Sequence, residues 1–171
     1  MTEAHTQGPG FTIMRAGEAP DLGDTDCLTF VPGTETQTKG AVALVDHGLL
    51  DGQEVKVLCN LPGFNLTHVW FKRNFPLPLH SHNTDCLYYI IAGSLRLGTE
   101  TLGAQDSFFI PVNVPYTYTP GLDGVELLEI RHAQHFNIVN HAKGPNWWAK
   151  ALNTVISNRA DWQKAKRPAP H

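Results

Sequence analysis

Most of the chain alternates short apolar runs with breaks marked by glycine and proline, and only the last stretch changes period. Cys27-Leu-Thr-Phe-Val31, Ala41-Val-Ala-Leu-Val45, Val55-Lys-Val-Leu-Cys59 and Leu66-Thr-His-Val-Trp-Phe71 are strand-length and rich in β-branched or aromatic residues. So are Cys86-Leu-Tyr-Tyr-Ile-Ile91, Ser94–Leu102, Phe108-Phe-Ile110, Val114-Pro-Tyr-Thr-Tyr118 and Val125-Glu-Leu-Leu-Glu-Ile-Arg131. Between them stand Pro32-Gly33, Gly48, Leu61-Pro62-Gly63 and Pro120-Gly-Leu-Asp-Gly124, strong turn signals. Thr34 to Gly40 reads as a polar loop, and Ala92-Gly93-Ser94 as the tight turn that folds one strand back as the next. Many strands with no helix among them predict an all-β barrel or sandwich.

The period changes near residue 141. Trp148, Leu152, Val155 and Ile156 fall on one helical face, Asn146 can cap that helix, and Trp162 sits on a further short turn. The expected organisation is an N-terminal arm over 1–20, a β-barrel over 21–140, and a helix and frayed tail over 141–171.

One strand pair carries the candidate chemistry. His80 and His82 are separated by one residue, so on a strand both imidazoles share a face, as two cis ligands for a transition metal would. Cys86 has the parity of Tyr88 and Ile90 and faces the same interior, as a thiolate ligand, a supporting thiol or a small apolar filler. Asp85, in the bend before it, is a turn residue or an alternative ligand. Tyr116 is a phenolate ligand or a wall hydroxyl. The last strand leaves two parities open. If Glu126, Leu128, Ile130 and His132 face inward, His132 completes a three-histidine site; if Val125, Leu127, Glu129 and Arg131 do, Glu129 and Arg131 meet the ligand, with Arg131 suited to a carboxylate. Arg96 is a second candidate anion anchor, and Phe71, Trp70, Phe109 and Tyr88 candidate pocket walls. His47, His68 and His141 read as surface or satisfied histidines.

The stretch resembles the first motif of the cupins, H-x-H followed by Glu and then Gly: His80, His82 and Gly93 match in identity and spacing, with Cys86 where the family has Glu. The second motif is echoed from Gly103 through Asp106 and Pro111 to Tyr116, with Asn113 for its glycine and Tyr116 for its histidine. The resemblance implies a double-stranded β-helix (jelly-roll barrel) with a C-terminal helix outside it, and a metal held by His80, His82 and some of Cys86, Tyr116 and His132. Among cupins, the thiol dioxygenases also have Cys in place of that Glu, joined to a tyrosine; Tyr88, Tyr116 or Tyr118 would take that part here.

Composition narrows the picture without redirecting it. The 171 residues are 42% hydrophobic and 17% charged with formal net charge −3, so neither a basic nucleic-acid surface nor a solvating charged tail is indicated. Three cysteines without C-x-x-C spacing argue against a disulfide framework and for a reducing compartment, and no apolar run approaches a membrane span. The expectation is a cytoplasmic small-molecule metalloprotein, dioxygenase-like, using Fe(II) first and then Zn, Mn or Ni. The alternatives are a metal-dependent isomerase or lyase, or a non-catalytic ligand-binding cupin. A homodimer is expected because Ala41–Val45, as an edge strand, would need pairing and the Trp-rich helix offers a surface to bury.

Overall fold

The structure is a computed structural model that describes residues 10–169. Nine strands and two α-helices follow in the order β1 (Leu28–Phe30), α1 (Glu35–Asp46), β2 (Gln53–Leu61), β3 (Phe64–Phe71), β4 (His80–Ser81), β5 (Cys86–Leu97), β6 (Glu100–Gly103), β7 (Ser107–Ile110), β8 (Thr119–Arg131), β9 (Phe136–Asn140) and α2 (Pro145–Trp162). The larger sheet runs β2-β3-β8-β5-β6, with β7 also paired to β5; the smaller is β1-β9-β4. Its β1 and β9 are parallel, whereas β4 and β9 are antiparallel.

The larger sheet follows the expected alternation. Asn65, Thr67, Val69 and Phe71 of β3, Cys86, Tyr88 and Ile90 of β5, and Val125, Leu127 and Arg131 of β8 are all buried and turn inward. Phe108, Tyr116, Tyr118 and Phe75 complete this interior, with Tyr88 stacked on Phe108 at 4.4 Å and Phe71 on Phe75 at 4.4 Å.

Four expectations about elements are corrected. The first concerns residues 120–124, which are no turn but lie within β8, running unbroken from Thr119 to Arg131. Residues 34–46 are not a loop and an edge strand but helix α1, opened by a capping box. The Gln37 amide donates to Thr34 Oγ1 (3.3 Å), and the Thr34 amide donates to Gln37 Oε1 (2.7 Å). The Thr-x-x-Gln signal is in the sequence, and tertiary packing then overrides the β propensity of Ala41–Val45: Leu44 is buried against α2, and Gly40 leaves room for the Trp148 ring. An all-β description therefore gives way to a β-barrel carrying helix at both ends of the chain, and the edge-strand argument for a dimer falls with it.

Gly93 does not turn the chain. Strand β5 runs through it to Leu97, with register shifts on either side of Gly93 against β8, and the reversal comes at Gly98-Thr99. Gly93 has φ of 73°, and a Cβ there would lie 2.2 Å from the Gly124 carbonyl oxygen. The glycine thus permits a kink and a close backbone approach inside a strand, not a hairpin.

At the C-terminus the helix starts earlier than expected, with Gly144 at the N-cap and Pro145 in the first turn, and Asn146 lies inside it. Trp148, Ala151, Val155 and Trp162 form its buried face, whereas Ile156 is exposed. Trp162 reaches Phe75 (6.2 Å between rings), at the Val125 end of the barrel, so α2 packs beside the strands rather than over the Arg131 end. The tail beyond it is docked: Arg167 bridges Glu54 and Glu126 across the Trp70 ring. Much of the expected arm over 1–20 and the last two residues lie outside the described residues. At its near end, Pro20 accepts a hydrogen bond from the Val57 amide.

Candidate functional site

Two backbone ladders hold the His80–His82 segment. On one side β4 pairs with β9, and Asn83 and Asn137 exchange side-chain-to-amide bonds of 3.0 and 2.8 Å. On the other, His80 and Tyr116 exchange amide-to-carbonyl bonds, and the Asn113 amide donates to the His82 carbonyl (2.7 Å). Both imidazoles are buried, with ring centroids 5.1 Å apart.

Their tautomers are set by the backbone. Nδ1–H of His80 donates to the Pro78 carbonyl (2.8 Å), and Nδ1–H of His82 to the Asn137 carbonyl (2.5 Å). Each Nε2 is left with its lone pair facing the interior. Burial opposes charge on both rings, lowering the pKa of His82 and taking that of His80 down to about 4.

That depression has a sign that can be measured. The unfolded chain binds a proton at His80 near pH 6.5, and the folded chain resists it until about pH 4. The stabilisation is complete above 6.5 and is lost as pH falls through this window, by about 3 kcal/mol for the single ring. Urea unfolding across pH 7.5 to 4.5 is expected to show this fall, and His80→Gln to flatten it. A slope unchanged by the substitution would assign the fall to other groups.

The rest of the site comes from β5, β8 and the Tyr116 segment. Tyr116 lies over His80 (4.3 Å between rings), and its hydroxyl is hydrogen-bonded to that of Tyr88. Burial pushes both phenols well above their usual range. Burial also takes the Cys86 thiol up to about 12, so it stands there as a protonated, apolar-facing group. Arg131 and Glu129 form an ion pair of 2.5 Å. The guanidinium lies 4.0 Å from the Phe136 ring centroid, Nη1 reaches Asn65 Oδ1 at 3.4 Å, and Thr67 donates to the same oxygen at 2.9 Å. Arg131 Nε is buried without a partner among the described residues.

The second parity is therefore the inward one, and His132 is corrected: it is exposed, in the bend just past the end of β8. Arg96 is exposed too, donating to the Gly98 carbonyl, because β5 continues past Gly93 and alternation turns Arg96 outward. Phe109 is 56% exposed, and its neighbour Phe108 takes the wall position. Trp70, though buried, faces outward under Arg167. Asp85 accepts from the Val112 amide (2.8 Å), as a turn residue does. His68 pairs with Glu126, His47 with the Ala43 carbonyl and His141 with Ser81. Asn65 and Thr67 were not singled out by sequence; their parity on β3 was the available signal.

No family model matches the chain, and no curated protein matches it in sequence. Among solved structures, a protein of unknown function with a cupin-like fold from Ralstonia eutropha JMP134 is similar over 89% of this chain and 90% of its own, at 15% identity and TM-score 0.50. The chain has a cupin fold. The polyketide cyclase RemF from Streptomyces resistomycificus is also similar, over 61% of this chain and 84% of that chain, at 19% identity and TM-score 0.50.

The resemblance to cupins implies a metal at the histidine pair, and only some of the donors present fit one. His80 and His82 fit: neutral, buried, with Nδ1 fixed and Nε2 free. A third donor does not follow. The Cys86 Sγ lies 3.9 Å from the Leu87 carbonyl, Tyr116 is paired with Tyr88, Asp85 with a backbone amide and Glu129 with Arg131, while His132 is outside. Among the described residues no three His, Cys, Asp or Glu side chains cluster as a metal site. Two imidazoles seldom hold a divalent ion firmly against water, so this set does not fit a tightly held metal.

Proposed function

We propose that this cupin binds a small, oxygen-bearing organic molecule among His80, His82, Tyr88, Tyr116 and Arg131, and moves protons on it by chemistry of the isomerase or lyase kind. The observation that carries the reading is the inventory of unused hydrogen-bonding groups. Both Nε2 lone pairs are free acceptors. Arg131 Nε is a free donor. Of the two phenols, one donates to the other, whose own proton remains available for a third partner. Arg131 Nε is the one of these groups that is both fully buried and unpartnered among the described residues. Buried polar groups are ordinarily satisfied, so a ligand with complementary oxygens, which the free imidazole acceptors and the phenolic proton would also suit, matches it. A phenolic proton and an arginine N–H can stabilise a developing oxyanion, and an unprotonated imidazole can accept the proton that leaves.

A second reading, a dioxygenase-like metalloenzyme, is favoured by the one feature already noted, the free Nε2 pair. It requires Glu129 to exchange Arg131 for the ion. Thermal shift of chelator-treated protein against small hydroxy acids, keto acids and phenols separates the two. The proton-transfer reading expects at least one of these to raise Tm in chelator, the effect to vanish in Arg131→Met, and that compound to exchange a C–H for deuterium in D2O. Shifts seen only after adding Fe(II) or Zn(II) would overturn it in favour of the metal reading.

A further inference from the structure

One ion pair sets the charge that the barrel interior can accept. Among the buried residues that the structure describes, Arg131 is the only lysine, arginine, aspartate or glutamate, and its Nη2 already donates to Glu129 Oε2 at 2.5 Å. The rest of the guanidinium is tied as well. Nη1 donates to Asn65 Oδ1 at 3.4 Å, and the cation lies over the Phe136 ring. Asn65 is held in that orientation, because its Nδ2 donates to Asn60 Oδ1 at 3.2 Å and Thr67 donates to its Oδ1 at 2.9 Å. The N–H at Nε is left without a partner among the described residues. Arginine recognises a carboxylate best through two parallel N–H bonds, and here the Nη2 that would give the second is engaged by Glu129.

The imidazoles supply no replacement charge. Their Nδ1–H groups donate to the Pro78 and Asn137 carbonyls, and neither ring has a carboxylate partner among the described residues to hold a second proton on it. A bound carboxylate would therefore stand beside Glu129 with its charge uncompensated in a buried site, where like charge and lost hydration both count against it. A neutral carbonyl oxygen accepts from Nε–H and brings no charge. A hydroxyl carried beside that carbonyl can donate to an imidazole Nε2. We infer that the site takes uncharged hydroxy-carbonyl compounds (amides, esters or ketones) and turns away the corresponding carboxylates, with Glu129 as the residue that sets the choice. The residue type of Arg131 alone suggests the opposite, an anchored carboxylate, and its buried partner reverses that preference. This inference rests on the ligand reading proposed above and narrows it to a chemical class.

Calorimetric titration of the chelator-treated full chain at neutral pH with two matched pairs tests it: lactamide against lactate, and 3-hydroxybenzamide against 3-hydroxybenzoate. The members of a pair have nearly the same shape and differ by one negative charge. In any pair that binds, the amide is expected to bind at least tenfold tighter than the acid. Glu129→Gln keeps the shape of the side chain and removes its charge, and is expected to move the preference at least tenfold toward the acid, with circular dichroism confirming that the variant is folded. If that variant does not fold, the wild-type preference decides alone. An acid that binds wild type as tightly as its amide, or a preference that a folded Glu129→Gln leaves unmoved, would overturn the inference while leaving a ligand site in place. If no member of either pair binds, the ligand reading itself falls, and the class assigned here falls with it.

Discussion

Glu129→Ala is expected to cost about 3–5 kcal/mol of stability, because it strips the partner from a guanidinium that is almost wholly inside the barrel. Arg131 has no carboxylate other than Glu129 within salt-bridge distance among the described residues, its second contact is the long one to Asn65, and its Nε is already unpartnered. The charge cannot be neutralised by losing a proton, so its burial cost appears in full. Removing both charges together is a different matter. Glu129→Leu with Arg131→Met replaces the pair with apolar groups of similar size and is expected to lie within about 1 kcal/mol of wild type or above it. Urea unfolding followed by circular dichroism reads both. A single substitution that costs less than 1 kcal/mol would mean that water reaches Arg131. If the pair proves costly to break yet neutral to delete, its retention is explained by ligand recognition rather than by folding.

Trp162→Ala is expected to be of the same order, about 3–5 kcal/mol, for a reason that lies in packing. The indole is 2% exposed, reaches Phe75 and lies close over Gly52, and donates its N–H to the Arg73 carbonyl at 2.7 Å. Lys72 Nζ in turn donates to the Trp162 carbonyl at 2.8 Å. These contacts fasten the end of α2 to the loop after β3, so the cavity left by alanine also loosens that junction. Trp162→Phe keeps most of the ring and gives up only the hydrogen bond; since Arg73 is exposed and its carbonyl can turn to water, it is expected to cost about 1 kcal/mol. Equal losses for the two substitutions would place the energy in the hydrogen bond and contradict the packing account.

The parts of the fold that could be read from sequence are those where one residue's environment repeats along the chain. Strand parity placed Cys86 and Tyr88 on the inward face of β5, and the one-residue spacing of His80 and His82 placed both imidazoles together, as the structure has them. On β8 both parities were half apolar, because the outward residues Leu128 and Ile130 are apolar while the inward face carries Glu129 and Arg131 beside Val125 and Leu127. That ambiguity admitted His132 alongside Glu129 and Arg131, and the burial of Arg131 decides between them. Gly93 misled because a glycine with positive φ serves a bulge as well as a turn. Helix α1 was missed where β-branched residues outvoted a capping box, and only contact with Trp148 decides that case. Asn65 and Thr67 carry no motif; what brings them to the site is their register opposite Arg131 and Glu129.

We propose that the histidine pair is a hydrogen-bonding element of a ligand site and not two-thirds of a metal centre. The most direct measurement is the metal content of purified protein by mass spectrometry, followed by calorimetric titration of the chelator-treated chain with Zn(II), and anaerobically with Fe(II). Far less than one ion per chain is expected as purified, with dissociation constants no tighter than about micromolar for two imidazoles and weaker still in His80→Ala. Near-stoichiometric metal that survives dialysis, or nanomolar affinity abolished by Glu129→Gln or Cys86→Ser, would contradict it.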